Sequence, residues 1–175
     1  EEDVFVNYGF GTRSLQALIH PRTGAALPPS ANNRRARAVL DFVRERGEVH
    51  PREVDEHFAL GTVTNYWGGS SSATTHLLDQ MHYRGLLRVV RRDSGIRVYA
   101  VHEHAPGPDG PAARRERLDA LVDVVVAKYG PLTASGLNRL VKRLRYGVPQ
   151  WATELNRALQ RAKHRLSHAR VDGVD

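Results

Sequence analysis

"LLRVVRRDSGIRVYAV", residues 86–101, is the stretch whose reading decides the fold. Apolar residues on either side of Asp93-Ser94-Gly95 read as two short strands joined by a tight polar turn. Leu87, Val89, Ile96 and Val98 are expected to close a core, which leaves Arg88, Arg91, Arg92 and Arg97 free. A helical pattern runs directly into this hairpin and stops at Gly85, a residue that tolerates the left-handed conformation of a helix end. So much positive charge on a small hairpin raises the question of what it was placed there to touch.

Three helical patterns lie upstream. Ala36, Val39, Leu40 and Val43 recur at the spacing of one buried helix face, which ends at Gly47. "HPREVDEHF" follows, with Pro51 suited to a first helical turn and Val54 and Phe58 four residues apart. The third pattern is expected to start near Ser70 and to bury Thr74, Leu77, Leu78 and Met81. Helix, helix, helix, hairpin is the order of a winged helix-turn-helix, whose third helix enters the major groove while the hairpin, or wing, flanks it on the phosphate backbone.

The pattern then returns. After the Pro- and Gly-rich "HAPGPDGPAA", Leu118, Leu121, Val122, Val125 and Val126 share one helical face. Leu137, Leu140, Val141 and Leu144 make the next, and Trp151, Leu155 and Leu159 fall on a third that runs to about residue 166. The two passes superpose with a shift of about 83 residues, Gly47 on Gly130 and Val54 on Leu137. The expected fold class is mainly α with small β-hairpins: a tandem winged helix-turn-helix, the second incomplete. Residues 1–33 read as the remnant of a preceding region plus a linker, 34–103 as the first winged helix, 104–113 as a linker, and 114–175 as a second winged helix with a truncated wing. Both ends stop on strand-like runs and look cut.

Charge follows the same division. The 175 residues carry a formal net charge of +7, with only Lys128, Lys142 and Lys163 among 26 basic residues being lysine. Arginine's rigid fork suits phosphate, although GC-rich codon usage explains the arginine preference equally well. Codon usage does not explain location. Residues 1–111 hold 13 basic and 13 acidic side chains, whereas 112–175 hold 13 basic and 6 acidic. Between residues 139 and 170, Arg139, Lys142, Arg143, Arg145 and Arg157, then Arg161, Lys163, Arg165 and Arg170, face one acid, Glu154. A solvated helix face commonly mixes both signs, so this asymmetry reads as a footprint for a polyanion.

Several classes fall away. There is no cysteine, hence no disulfide framework and no thiolate metal site. No apolar run approaches the ~20 residues of a membrane-spanning helix, and the acidic Glu1-Glu2-Asp3 start is unlike a signal peptide. The expectation is a soluble, cytoplasmic chain. "HEH" at 102–104, and His50 with Asp55 and His57, lack a recognisable ligand spacing and read as structure rather than as a metal site. In "WGGSSSATTH", backbone N–H groups of Gly68 to Ser72 would sit at a helix start able to hold an anion, and simple capping by Ser70 accounts for the same residues. Ser70, Ser71, Ser72, Thr75 and His76 are candidate DNA contacts there, although Asp79 on the same face would repel phosphate. The remaining candidates are Arg91, Arg92 and Arg97 on the wing, and Lys142, Arg143, Arg145, Arg157, Arg161 and Lys163 beyond the linker. No nucleophile–base pair or phosphate-cradling glycine loop is present, so residue chemistry alone describes a binding module.

Across "VFVNYGF…LQALIHPR", "RARAVLDFVRERGEVHPREVDEHF", "NYWGGSSSATTHLLDQMHYRGLLRVVRRDSGIRVY" and "HARVDGVD", the chain resembles the YcaQ/AlkZ-like bacterial DNA glycosylases. The resemblance implies tandem winged helices, a β-barrel beyond the "RVDGVD" region, damaged double-stranded DNA as partner, and hydrolysis of the N-glycosidic bond of alkylated or crosslinked bases without metal or organic cofactor. It also implies a Gln-hydrophobic-Gln or Gln-x-Asp catalytic motif, expected upstream of Glu1. Gln16 in "SLQALIH" and Gln150 in "VPQWA" do not match that motif, so no residue here is assigned a catalytic role. Where well-known members carry a His-Glu pair, this chain has Asn7 and Tyr8. The alternatives are a winged-helix transcription regulator without catalytic activity, reading an operator through helix 70–84, and a protein-interaction module.

Overall fold

The computed structural model describes residues 1–24, 33–64, 68–104, 110–167 and 169. The chain begins with β1 (Glu2–Val4), β2 (Tyr8–Phe10) and α1 (Arg13–Ile19), followed by α2 (Arg34–Arg46), β3 (Glu48–Val49) and α3 (Pro51–Phe58). Next come β4 (Thr62–Thr64), β5 (Ser70–Ser72), α4 (Ala73–Arg84), β6 (Leu87–Asp93) and β7 (Ile96–Val101). The last elements are α5 (Pro111–Tyr129), α6 (Ala134–Arg143) and α7 (Leu155–Arg165), with 3-10 turns at Leu144–Tyr146 and Pro149–Glu154. The fold is mainly α with small antiparallel sheets, ordered β1-β2, β3-β7-β6 and β4-β5.

Two units divide the chain: Glu1–Glu2 with Pro21–His104, and Asp3–His20 with Ala105–Asp175. In the first, Ala36, Val39 and Val43 of α2, Val54 of α3, and Leu78 and Met81 of α4 pack on Leu87, Val89 and Tyr99 of the hairpin. The local signals explain the boundaries. Asn33 Oδ1 accepts from the backbone of Arg35 and Ala36 to start α2, and Gly47 ends it at a φ of 78°. Pro51 opens α3, where the Glu53 carboxylate accepts from His50 N at 2.7 Å and His50 Nδ1 accepts from Arg52 N. Ser94 and Gly95, with φ of 48° and 85°, form the two-residue turn between β6 and β7, as a hairpin matching strand twist requires.

Two local expectations are corrected. Ile96 is 47% exposed rather than a core residue. The two-residue turn places Ile96 opposite Asp93 at the hairpin tip, and the register shift between Val89 and Arg91 sets Tyr99 opposite Val89, where Tyr99 fills the core. The third helix starts at Ala73, not near Ser70. Ser70, Ser71 and Ser72 pair with Thr64, Val63 and Thr62, and Ser72, not Ser70, is the cap, its Oγ accepting from Thr75 N at 3.2 Å. Serine competes poorly for helix interiors, and a strand ladder satisfies the same backbone groups.

In the second unit, Leu118, Leu121, Val122 and Val125 of α5 pack with Val141 and Leu144, and with Leu155, Ala158, Leu159 and Ala162 of α7. Helix ends keep the sequence shift of 83: α2 and α5 end at 46 and 129, while α3 and α6 start at 51 and 134. Residues near the N-terminus complete this core: Phe5 and Val6 from the β1–β2 turn, and Leu15 and Ile19 from α1. Gly147 makes the fit possible, because a Cβ there would meet Phe5 O at 2.8 Å and Val4 O at 3.2 Å. The wing expected at the end of the chain, Arg170, Trp67, most of the first expected linker and half of the second, residues 105–109, lie outside the described residues. One part of the first linker is described: Arg22 is fully buried, donating to Tyr83 O and stacking 4.3 Å from the Tyr83 ring.

Candidate nucleic-acid interface

The hairpin arginines have local counter-charges. Arg92 binds Glu2 in a two-pronged pair, Nε to Oε1 and Nη2 to Oε2, both at 2.7 Å. Arg97 donates to Asp79 Oδ1 at 2.6 Å and lies 3.4 Å from Glu2 Oε2. Arg91 stands 3.4 Å from Glu48 and 3.8 Å from Asp93, and Arg88 lies 4.0 Å from Glu1. Asp79 also accepts from Tyr99 Oη at 2.9 Å. Burial, reinforced by the Asp79 charge, raises the Tyr99 pKa above its ordinary value. Every arginine of the hairpin thus has a carboxylate within reach, and the acids come from outside the hairpin as well as from Asp93.

The segment from α6 to α7 differs. Arg161 forks onto Asp119 with contacts of 2.7–3.0 Å, and Arg165 onto Asp123 at 2.6 and 2.9 Å. The Asp123 hydrogen bond raises the Arg165 pKa further. Glu154, the one acid within the basic run, pairs with Arg114 at 3.1 Å. A linear count saw a single acid against nine cations. The packing of α5 against α7 supplies two more from 42 residues upstream.

What remains is a smaller and better defined set. Among the described residues Arg139, Lys142 and Arg157 have no ion-pair partner, and Lys142 and Arg157 are exposed. Arg143 and Arg145 are exposed and, among the described residues, bond to neutral acceptors. Arg143 Nε donates to Val6 O at 3.2 Å and Nη2 to Asn7 Oδ1 at 2.5 Å. Arg145 Nη2 donates to Tyr146 Oη at 2.8 Å with its guanidinium 4.8 Å from the ring centroid. That hydrogen bond, with the Arg145 charge, lowers the Tyr146 pKa. Lys163 is exposed at the end of α7. Arg139, Lys142 and Arg143 recur at three- and four-residue spacing on one side of α6.

Chain order brings the remaining candidates together on β5 and the start of α4. Ser70, Ser72, Thr75 and His76 are exposed and Ser71 is half-buried. His50, Asp55 and His57 have structural work: His50 caps α3, His57 stacks 4.5 Å from Phe42, and Asp55 accepts from Thr74 Oγ1 at 2.6 Å. Among the described residues no three His, Asp or Glu side chains are grouped as a metal site. Gln16 is buried on Asp3 Oδ2 at 3.3 Å, and Gln150 reaches Ile19 O at 3.4 Å. Sequence reasoning missed the exposed rings of Tyr8, Phe10 and Tyr146, although the alternation of Tyr8 and Phe10 in a strand-like run was a readable sign.

Residues 10–174 match the family described as DNA glycosylase AlkZ-like. The chain belongs to that family. Comparison with curated proteins and with solved structures gives no match. Membership among the AlkZ-like glycosylases relates the chain to DNA repair and makes DNA its partner, consistent with cations left without acids on α6 and α7. No described helix is long and apolar enough to cross a membrane.

Proposed function

We propose that this chain is the tandem winged-helix, DNA-binding part of an AlkZ-like glycosylase that hydrolyses the N-glycosidic bond of alkylated or crosslinked bases in damaged double-stranded DNA. The order α2, α3, α4, β6–β7 supports a first winged helix with α4 as the groove-facing helix and β6–β7 as its wing. The order α5, α6, α7 at the same spacing supports a second. The observation that carries the reading is the set of cations with no acidic partner among the described residues of the family-matched segment: Lys142, Arg143, Arg145 and Arg157. These, with the exposed Lys163, contact phosphates directly. Arg161 and the wing residues Arg91, Arg92 and Arg97 do so by exchanging a protein carboxylate for a phosphate, a contact of lower net value. Ser70, Ser71, Ser72, Thr75 and His76 hydrogen-bond to backbone or base edges without adding charge. Glycosidic hydrolysis is not assigned to any residue of this chain.

Fluorescence anisotropy against a labelled random-sequence duplex, titrated with salt, tests this reading. Binding is expected to weaken steeply with salt, since each phosphate contact contributes about 0.9 to the log–log slope. Charge reversal at Lys142 and Arg157 together should lower that slope by about two. No binding at low salt, or a preference of about a thousandfold for one operator sequence, would overturn it in favour of an interaction module or a regulator.

A further inference from the structure

The β1–β2 hairpin is built as a rigid platform, and its outer face carries aromatic rings. Phe5 and Val6 at its turn are buried in the helical core, so the turn is pinned from below. Arg143 holds it from the side through Val6 O and Asn7 Oδ1. Asp3 ties its first strand to α1, with Oδ2 2.5 Å from His20 Nε2 and Oδ1 accepting from Val4 N at 2.7 Å. Tyr8 and Phe10 occupy alternate positions of β2 and share its open face, 45% and 77% exposed. Beyond the turn, at the α6 corner, stand Tyr146, 45% exposed, and the exposed cations Lys142, Arg143 and Arg145.

Large exposed rings on a fixed strand beside uncompensated cations match one chemistry: a nucleic-acid strand whose bases are unstacked. Alternate strand positions lie about 7 Å apart. Stacked bases repeat about every 3.4 Å along a strand, so a slot of two such steps admits one base between two rings. A duplex keeps its bases paired and stacked and offers such a slot nothing. We infer that Tyr8 and Phe10 form a stacking clamp for an unpaired base of a DNA strand, whose flanking phosphates are held by Arg143, Arg145 and Lys142. The inference rests on the DNA-binding reading above and goes beyond it by naming the strand state that this surface recognises.

Labelled oligo-dT and a blunt random-sequence duplex, each titrated with the full chain, test it. Phe10→Ala and Tyr8→Ala should each weaken oligo-dT binding by about tenfold, the usual worth of a base–aromatic stack, and leave duplex affinity within about twofold. Phe10→Trp should restore oligo-dT binding, with the emission of its added indole quenched on complex formation. Oligo-dT affinity unchanged in Phe10→Ala, equal losses on both DNAs, or a wild-type chain that binds duplex but not oligo-dT would each overturn the clamp. A wild-type chain that binds neither DNA would overturn the DNA-binding reading itself.

Discussion

Replacing Glu2 by Gln should make the protein less stable and a better DNA binder, two effects of opposite sign from one atom. The hairpin region holds four arginines, Arg88, Arg91, Arg92 and Arg97, against five carboxylates, Glu1, Glu2, Glu48, Asp79 and Asp93. Glu2 is the most enclosed of these acids that contact an arginine there: its side chain is 6% exposed and touches both Arg92 and Arg97. Removing one partner of a fully buried pair costs about 3–5 kcal/mol. Arg92 remains 43% exposed and rehydrates readily, so about 1–2 kcal/mol is expected, read as a lower urea midpoint with unchanged slope. Binding moves the other way. With the Glu2 charge removed, Arg92 can exchange onto a phosphate, which steepens the salt slope by up to about one, while Arg97 stays on Asp79. About 1 kcal/mol of recovered contact is a gain on the order of fivefold at low salt. Anisotropy at several salt concentrations, below the unfolding temperature of the variant, reads both quantities. A variant that loses stability while its affinity and salt slope stay flat or fall would refute the reasoning and make Glu2 a structural clamp only.

Gly147→Ala should cost about 1–3 kcal/mol in urea unfolding, because the added methyl would sit 2.8 Å from the backbone oxygen of Phe5, a contact that no rotamer change relieves. Leu78→Ala removes a fully buried side chain from the first unit and should cost about 2–5 kcal/mol, whereas Ile96→Ala at the exposed hairpin tip should fall within about 0.5 kcal/mol. The raised Tyr99 pKa carries a pH signature. The unfolded tyrosine ionises near about 10, so this contribution is complete below that pH and is lost as pH climbs from there through the higher folded value, with a slope approaching about 1.4 kcal/mol per unit. Tyr99→Phe should therefore be less stable near neutrality by about 1 kcal/mol, for the lost bond to Asp79, and the gap should close above pH ~10; a gap that widens there contradicts the assignment.

Sequence alone determined most of the helices, because their signals are local; α1 and the start of α4 were the exceptions. The apolar spacing of Ala36, Val39 and Val43, the cap at Asn33, Pro51 at the head of α3, and Gly85 and Gly95 where left-handed backbone is needed act within a few residues of themselves. The family was legible for the same reason, since the motifs that carry it are contiguous. Only the tertiary structure decided which charges are available. Asp119 reaches Arg161 and Glu2 reaches Arg92 across 42 and 90 residues, and a count along the chain sees neither meeting. Packing likewise drew Asp3–His20 into the second unit, through Phe5, Val6, Leu15 and Ile19, and turned Tyr8 and Phe10 outward. Electrostatic complementarity acts through space and falls with distance in Å rather than in residues. The residues that carry charge were therefore readable from the letters, and their neutralisation was not.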